Sequence, residues 1–173
     1  MIATIYLDMD GVVADFDAYA YDTLGFPPSG GLYPDDKWAK LAENPRIYRD
    51  LKKTPEADDL VKLCKDLCVQ FHYDLKFLTA VPKGNDVPWA FYDKMSWALY
   101  YFPDIPVMFG PYSKDKHKHC QKGDVLIDDR ASNVEEWTAA GGFGIHYAKG
   151  IDFTQIKTTI SLAIAMNNIP WGG

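Results

Sequence analysis

The stretch Ile2-Ala3-Thr4-Ile5-Tyr6-Leu7-Asp8-Met9-Asp10-Gly11-Val12 decides the fold class. Its first six residues are almost continuously apolar, the pattern of a strand buried on both faces. Asp8 and Asp10 stand one residue apart at the C-terminal end of that run, and Gly11 follows where the chain must turn. In open α/β sheets, ligands bind beyond the carboxyl ends of the strands. Two carboxylates crowded there repel each other, and a cation or a bound proton has to offset the repulsion. The plain alternative is a solvated turn with two surface acids, which predicts no matching acids elsewhere.

A matching pair exists. Asp128-Asp129 ends the short apolar run Val125-Leu126-Ile127, and a helix start follows, with Ser132 and Glu135 in the form of a capping box. Parallel strands of one sheet bring both acid pairs to the same edge. Four acids there make a hard, oxygen-rich site suited to Mg²⁺, retained waters and a phosphate oxygen.

Between these pairs, strand-like segments at 74–78, 105–109 and 143–147 join those at 2–7 and 125–127, with helical patterns separating them. Ala57–Gln70 carries Leu60, Val61, Cys64, Leu67 and Cys68 at helical spacing after Pro55. Residues 88–101 open on Pro88 and carry Trp89, Phe91, Tyr92, Met95, Trp97, Leu99 and Tyr100. Residues 132–140 run up to Gly141-Gly142, a helix stop, and a last helix covers about 153–166. Strands alternating with helices predict βαβ units and a mainly parallel sheet.

One region breaks the alternation. After a first helix at about 14–24 come Gly25–Gly31, a short helical piece around Asp35–Asn44, and Pro45–Leu51. This is too long for a plain βα connection and reads as a small helical insertion over the site. Phe16, Tyr19, Tyr33, Trp38 and Tyr48 lie in or beside it. The expected division is a core of residues 1–24 and 54–173 with a cap at 25–53.

With 173 residues the chain reads as one domain with room for an insertion. Its net charge of −6 argues against binding a nucleic-acid polymer, which needs a basic footprint. It does not exclude an anionic small molecule, since a metal supplies positive charge locally. No apolar stretch approaches a membrane span, and the N-terminus lacks the form of a signal peptide. Cys64, Cys68 and Cys120 are too few for a disulfide framework, and Cys64 and Cys68 read as core packing. A cytoplasmic setting is the expectation.

The chemistry follows from residue types. An aspartate attacking phosphorus forms an aspartyl-phosphate, and an acid two residues on can protonate the leaving oxygen and later activate water. Asp8 and Asp10 suit those roles. Charge on the transferring group calls for donors and cations. The Thr79 hydroxyl and Ala80 backbone N–H, at the end of Leu75-Lys76-Phe77-Leu78, are candidates for holding phosphate oxygens. A lysine candidate lies within Ser113-Lys114-Asp115-Lys116-His117-Lys118-His119, a run that otherwise reads as a solvated face.

Asp8-Met-Asp-Gly-Val-Val-Ala-Asp15, Leu78-Thr79-Ala80, Lys116 and Leu126-Ile-Asp-Asp-Arg130 together resemble the four ordered motifs of haloacid dehalogenase superfamily phosphatases. Within it, the first and fourth motifs most resemble the 5′(3′)-deoxyribonucleotidase family, bacterial and phage members included. The resemblance spans residues 2 to about 147. It implies a three-layer α/β fold with a parallel sheet, helices on both faces and a small helical cap. It implies Asp8 as nucleophile, and Asp10 as general acid/base that also gives its main-chain carbonyl to Mg²⁺. Thr79, Ala80 and a lysine would bind phosphate, Asp128 and Asp129 would complete the metal site, and Phe16 matches an aromatic that stacks on the base. Motif matching favours Lys116, and strict spacing to the acid pair favours Lys118.

The implied activity is Mg²⁺-dependent hydrolysis of deoxynucleoside monophosphates. The same chemistry on another small phosphate ester is the near alternative, because the cap sets specificity and is the least matched part. A non-catalytic binding module would have been signalled by loss of Asp8 or Asp10, and both are present. Gly141-Gly-Phe-Gly144 precedes a strand instead of following one, which argues against a dinucleotide fingerprint.

Overall fold

A computed structural model describes residues 2–25, 35–83, 87–148 and 150–167 of the chain. Its elements run β1 (Thr4–Leu7), α1 (Phe16–Leu24), α2 (Asp35–Leu41), α3 (Ile47–Asp50), α4 (Ala57–Phe71), β2 (Asp74–Thr79) and α5 (Ala90–Tyr101). Then follow β3 (Val107–Phe109), a 3-10 segment (Ser113–His119), β4 (Val125–Asp128), α6 (Ala131–Ala139), β5 (Phe143–His146) and α7 (Phe153–Asn167).

The strands form one sheet in the order β3-β2-β1-β4-β5, with every pairing parallel. From β1 the chain builds outward through β2 and β3 on one side, then returns to build β4 and β5 on the other. The carboxyl ends of β1 and β4 therefore flank the topological switch point, where a crevice forms. Leu7 pairs with Ile127, and the Asp8 N–H donates to the Ile127 carbonyl at 2.9 Å, so the two acid pairs leave the sheet side by side.

Alternate side chains divide the core. Ile5, Leu7, Phe77, Val125 and Ile127 join one large buried cluster with residues of α4, α5 and α7, among them Leu60, Cys64, Trp97, Ile156 and Ile160. Tyr6, Leu78 and Leu126 face the other way onto Trp137 of α6. Burial on both faces is why β1 and β4 read as continuous apolar runs, and it yields the expected three-layer α/β architecture. Among the described residues no helix is long and apolar enough to cross a membrane.

One expectation needs correction. Helix α6 starts at Ala131, and its N-cap position, Arg130, has no side-chain cap. Ser132 lies inside the first turn and is exposed, as is Glu135, so they form no capping box. The entry is fixed instead by Asp128, whose Oδ1 accepts from the Arg130 N–H at 2.9 Å, a local carboxylate-to-backbone bond of the Asx kind. Helix α5 buries a stripe that includes two charged residues. Ala90, Asp93, Lys94, Trp97 and Ala98 are buried, whereas Phe91, Tyr92, Met95, Leu99 and Tyr100 are exposed.

The chain enters and leaves the inserted helices at one place. The Asp15 N–H donates to Lys52 O at 2.8 Å, and the Thr54 N–H to Val13 O at 2.9 Å. The Thr54 hydroxyl adds a bond to Val12 O at 2.9 Å. Helix α1 closes on Gly25 at φ +79°, whose N–H returns to Tyr21 O. The rest of the expected Gly25–Gly31 turn, and Tyr33, lie outside the described residues.

Candidate active site

Directly after β1 the chain makes a tight loop. The Met9 carbonyl accepts from the N–H groups of Val12, Val13 and Ala14, and Gly11 takes φ +78°. That conformation costs an L side chain about 1–2 kcal/mol. A Cβ at Gly11 would also meet Asp129 Oδ2 at 2.3 Å, so glycine is required here on two counts. The loop lays Asp8 and Asp10 over the switch point, with the Asp8 carboxylate facing the acid pair that ends β4.

Asp8, Asp128 and Asp129 each offer a carboxylate oxygen within 4.8 Å of the others. Lys116 stands among them: its Nζ lies 2.7 Å from Asp8 Oδ1 and 2.7 Å from Asp128 Oδ2, and only 2% of its side chain is exposed. Burial alone would lower the Lys116 pKa, but the charges of Asp8 and Asp128 outweigh it and the net shift is upward. Lys118, the spacing-based alternative, is 65% exposed and pairs with Asp115 at 2.6 Å. The run 113–119 is thus not one solvated face, because Asp115 and Lys116 turn inward.

Asp128 is completely buried, and its carboxylate is heavily engaged. Besides Lys116 and the Arg130 N–H, it accepts from Asn133 Nδ2 at 2.9 and 3.0 Å. Ser113 in turn donates to Asn133 Oδ1 at 2.8 Å, tying the lysine-bearing segment to α6.

One ammonium does not balance three acids. Burial, then Asp128 and Asp10, push the Asp8 carboxyl up to about 6 against the pull of Lys116. Burial, then Asp8 and Asp128, push Asp129 up to about 8. An all-oxygen donor set with surplus negative charge is what a hard divalent cation fits.

The Asp10 side chain does not join that group. Its Oδ2 is held by the ammonium of Lys94, and its Oδ1 is buried with no hydrogen-bond partner among the described residues. Lys94 also donates to Thr79 Oγ1 at 3.0 Å. Sequence reasoning missed Lys94, although Ala90, Lys94, Trp97 and Ala98 share one helical stripe, and that spacing was the available signal.

A cavity of about 540 Å³ opens beside the acids, lined by Asp8, Asp10, Asp129 and Lys116 at its base. This is within the usual range for small-molecule sites. Ala80 reaches it, whereas Thr79, expected at the phosphate, is fully buried and not among the lining residues. Phe16, Trp38 and Tyr48 form an aromatic wall: the Phe16 ring centroid is 6.3 Å from that of Trp38 and 6.0 Å from that of Tyr48, both stacked. Lys83, Lys114 and Arg130 also border the cavity.

The chain is 29% identical over 150 residues to a protein of Staphylococcus aureus (strain Mu50) provisionally named a 5′(3′)-deoxyribonucleotidase, with 78% of each chain covered. A Staphylococcus epidermidis (strain RP62A) protein with the same provisional name is 32% identical over 109 residues, 63% of this chain and 52% of its own length. This chain is similar in sequence to proteins that carry the provisional name 5′(3′)-deoxyribonucleotidase. No family model matches it. Among solved structures, a hydrolase from Pseudomonas syringae aligns at TM-score 0.47 and 14% identity, covering 91% of this chain and 90% of its own. A haloacid dehalogenase superfamily hydrolase from Ehrlichia chaffeensis aligns at TM-score 0.45 and 13% identity, with 95% and 99% covered.

Proposed function

We propose that this protein is a Mg²⁺-dependent phosphomonoesterase of the haloacid dehalogenase type that hydrolyses deoxynucleoside monophosphates. One observation carries the reading: the Asp8 carboxylate, at the end of the central strand, lies between a buried lysine and an acid pair at the floor of a ligand-sized cavity. The provisional name of the relatives and the aromatic wall support a nucleotide over other small phosphate esters.

Asp8, Asp129, Asp128 and the main-chain carbonyl of Asp10 would hold the ion, with Asp128 also braced by Lys116 and Asn133. When bound, Mg²⁺ would neutralise the acids and the phosphate charge that otherwise repel each other.

An Asp8 oxygen attacks phosphorus as the bond to the leaving alkoxide breaks, and Asp10 gives that alkoxide a proton. The product is an aspartyl-phosphate on Asp8. Water then attacks phosphorus, Asp10 takes back a proton, and phosphate leaves as the Asp8 carboxylate re-forms. Lys116 offsets charge on Asp8 and on the transferring group, Ala80 offers its backbone N–H, and Thr79 supports the phosphate side of the site. Phe16, Trp38 and Tyr48 supply apolar stacking surface for a base, with the segment 25–53 acting as a cap.

The test is phosphate release from deoxynucleotides, ribonucleotides and sugar phosphates, with and without Mg²⁺. Turnover should favour the deoxynucleotides, require the metal, and vanish in a folded Asp8→Asn variant. Substantial turnover by Asp8→Asn overturns the mechanism, and equal rates on sugar phosphates overturn the substrate.

A further inference from the structure

Lys94 is a buried charge that the chemistry above leaves unused. Its side chain is 1% exposed on the inner face of α5. It bonds Asp10 Oδ2 and Thr79 Oγ1, and its Nζ stands 4.2 Å from the centroid of the Tyr48 ring. It does not line the cavity, so it has no direct reach to a substrate there. Burying an ammonium is costly, and a helix with exposed aromatics all along its outer face had apolar residues available for this position.

We propose that Lys94 is a positioning residue that decides which oxygen of Asp10 faces the reacting phosphate ester. The role rests on the phosphatase reading of the site. An ammonium carries three donors and no acceptor. With Oδ2 of Asp10 accepting from it, a proton to be delivered has to ride on Oδ1, the buried oxygen that lacks a partner among the described residues. The same ammonium donates to Thr79 Oγ1 at 3.0 Å, which anchors it to the end of β2 and so fixes the place from which it holds Asp10. The threonine thus steadies the cation, and the cation orients the acid.

A structural ion pair would affect all substrates alike, whereas a group that aims the acid matters most where the leaving oxygen needs a proton. The experiment measures kcat/KM for a deoxynucleotide, whose alkoxide is a poor leaving group, and for nitrophenyl phosphate, whose phenolate leaves unaided. Lys94→Met should lose roughly tenfold or more on the nucleotide beyond its loss on nitrophenyl phosphate, part of the proton-transfer contribution. In a double-mutant cycle, adding Lys94→Met to Asp10→Asn should cost little further on the nucleotide, because the acid it aims is already gone. The double variant removes both charges together, so it keeps the role testable if Lys94→Met alone does not fold. Equal losses on both substrates, or losses that multiply in the double variant, overturn the positioning role. Wild-type-like behaviour of Lys94→Met beside an active wild type overturns this inference alone. A wild type inactive on both esters overturns the phosphatase reading, and this role with it.

Discussion

Replacing Gly11 with alanine tests the link between backbone conformation and the acid cluster. At φ +78°, alanine pays about 1–2 kcal/mol for a left-handed backbone. For a chain of this length that lowers Tm by roughly 2–8 °C. The new methyl also meets Asp129 Oδ2 at 2.3 Å and its Cγ at 2.7 Å, and ordinary contact needs about an ångström more. The obstruction is the end of a side chain, so the carboxylate swings away cheaply, but it swings out of the group that would hold the ion. Each tenfold loss of affinity removes about 1.4 kcal/mol of metal-induced stabilisation at saturating concentration. Thermal melts of wild type and Gly11→Ala, titrated with Mg²⁺, separate the effects: the metal-free offset reports strain, and the shift of the titration curve reports Asp129. An unchanged Mg²⁺ titration in the variant would refute the claim that Gly11 makes room for a metal-binding Asp129.

Two other outcomes follow from the same cluster. Lys116→Ala should lose most of the phosphatase activity, whereas Lys118→Ala, which removes an exposed pair with Asp115, should stay within a few-fold of wild type; steady-state kinetics on folded variants decides it. Without metal, stability should fall as pH rises from about 4 to about 8: over that window native Asp8 (raised to about 6) and Asp129 (raised to about 8) hold protons that the unfolded chain has lost. Urea melts at several pH values should show that decline, flatter in Asp129→Asn and relieved by Mg²⁺, and a metal-free slope of opposite sign counts against it.

Much of this architecture was legible because its signals are redundant. Residues 4–7 and 125–127 are buried on both faces, so no alternation obscures them, and each run ends in paired acids. Legibility failed where a single short pattern had to stand for a three-dimensional arrangement. Ser132 and Glu135 match a capping box by spacing, yet the helix entry is held by a carboxylate from the preceding strand. Lys94 escaped because aromatic residues dominate the composition of α5, and composition does not say which side of a helix faces inward. The choice between Lys116 and Lys118 depended on where a 3-10 segment turns its side chains, and the sequence pattern of alternating charges is nearly the same for either.

The bonds joining Val12–Asp15 to Lys52–Thr54 give the excursion between them a closed neck. A segment whose two ends already lie together can change length at little cost, since closure entropy grows only with the logarithm of loop size. The sheet below gains no strain from what is threaded through that neck, and the acids at β1 and β4 keep their register. The same sheet edge can therefore carry other inserts, longer or with different walls, while the acids beneath stay where they are.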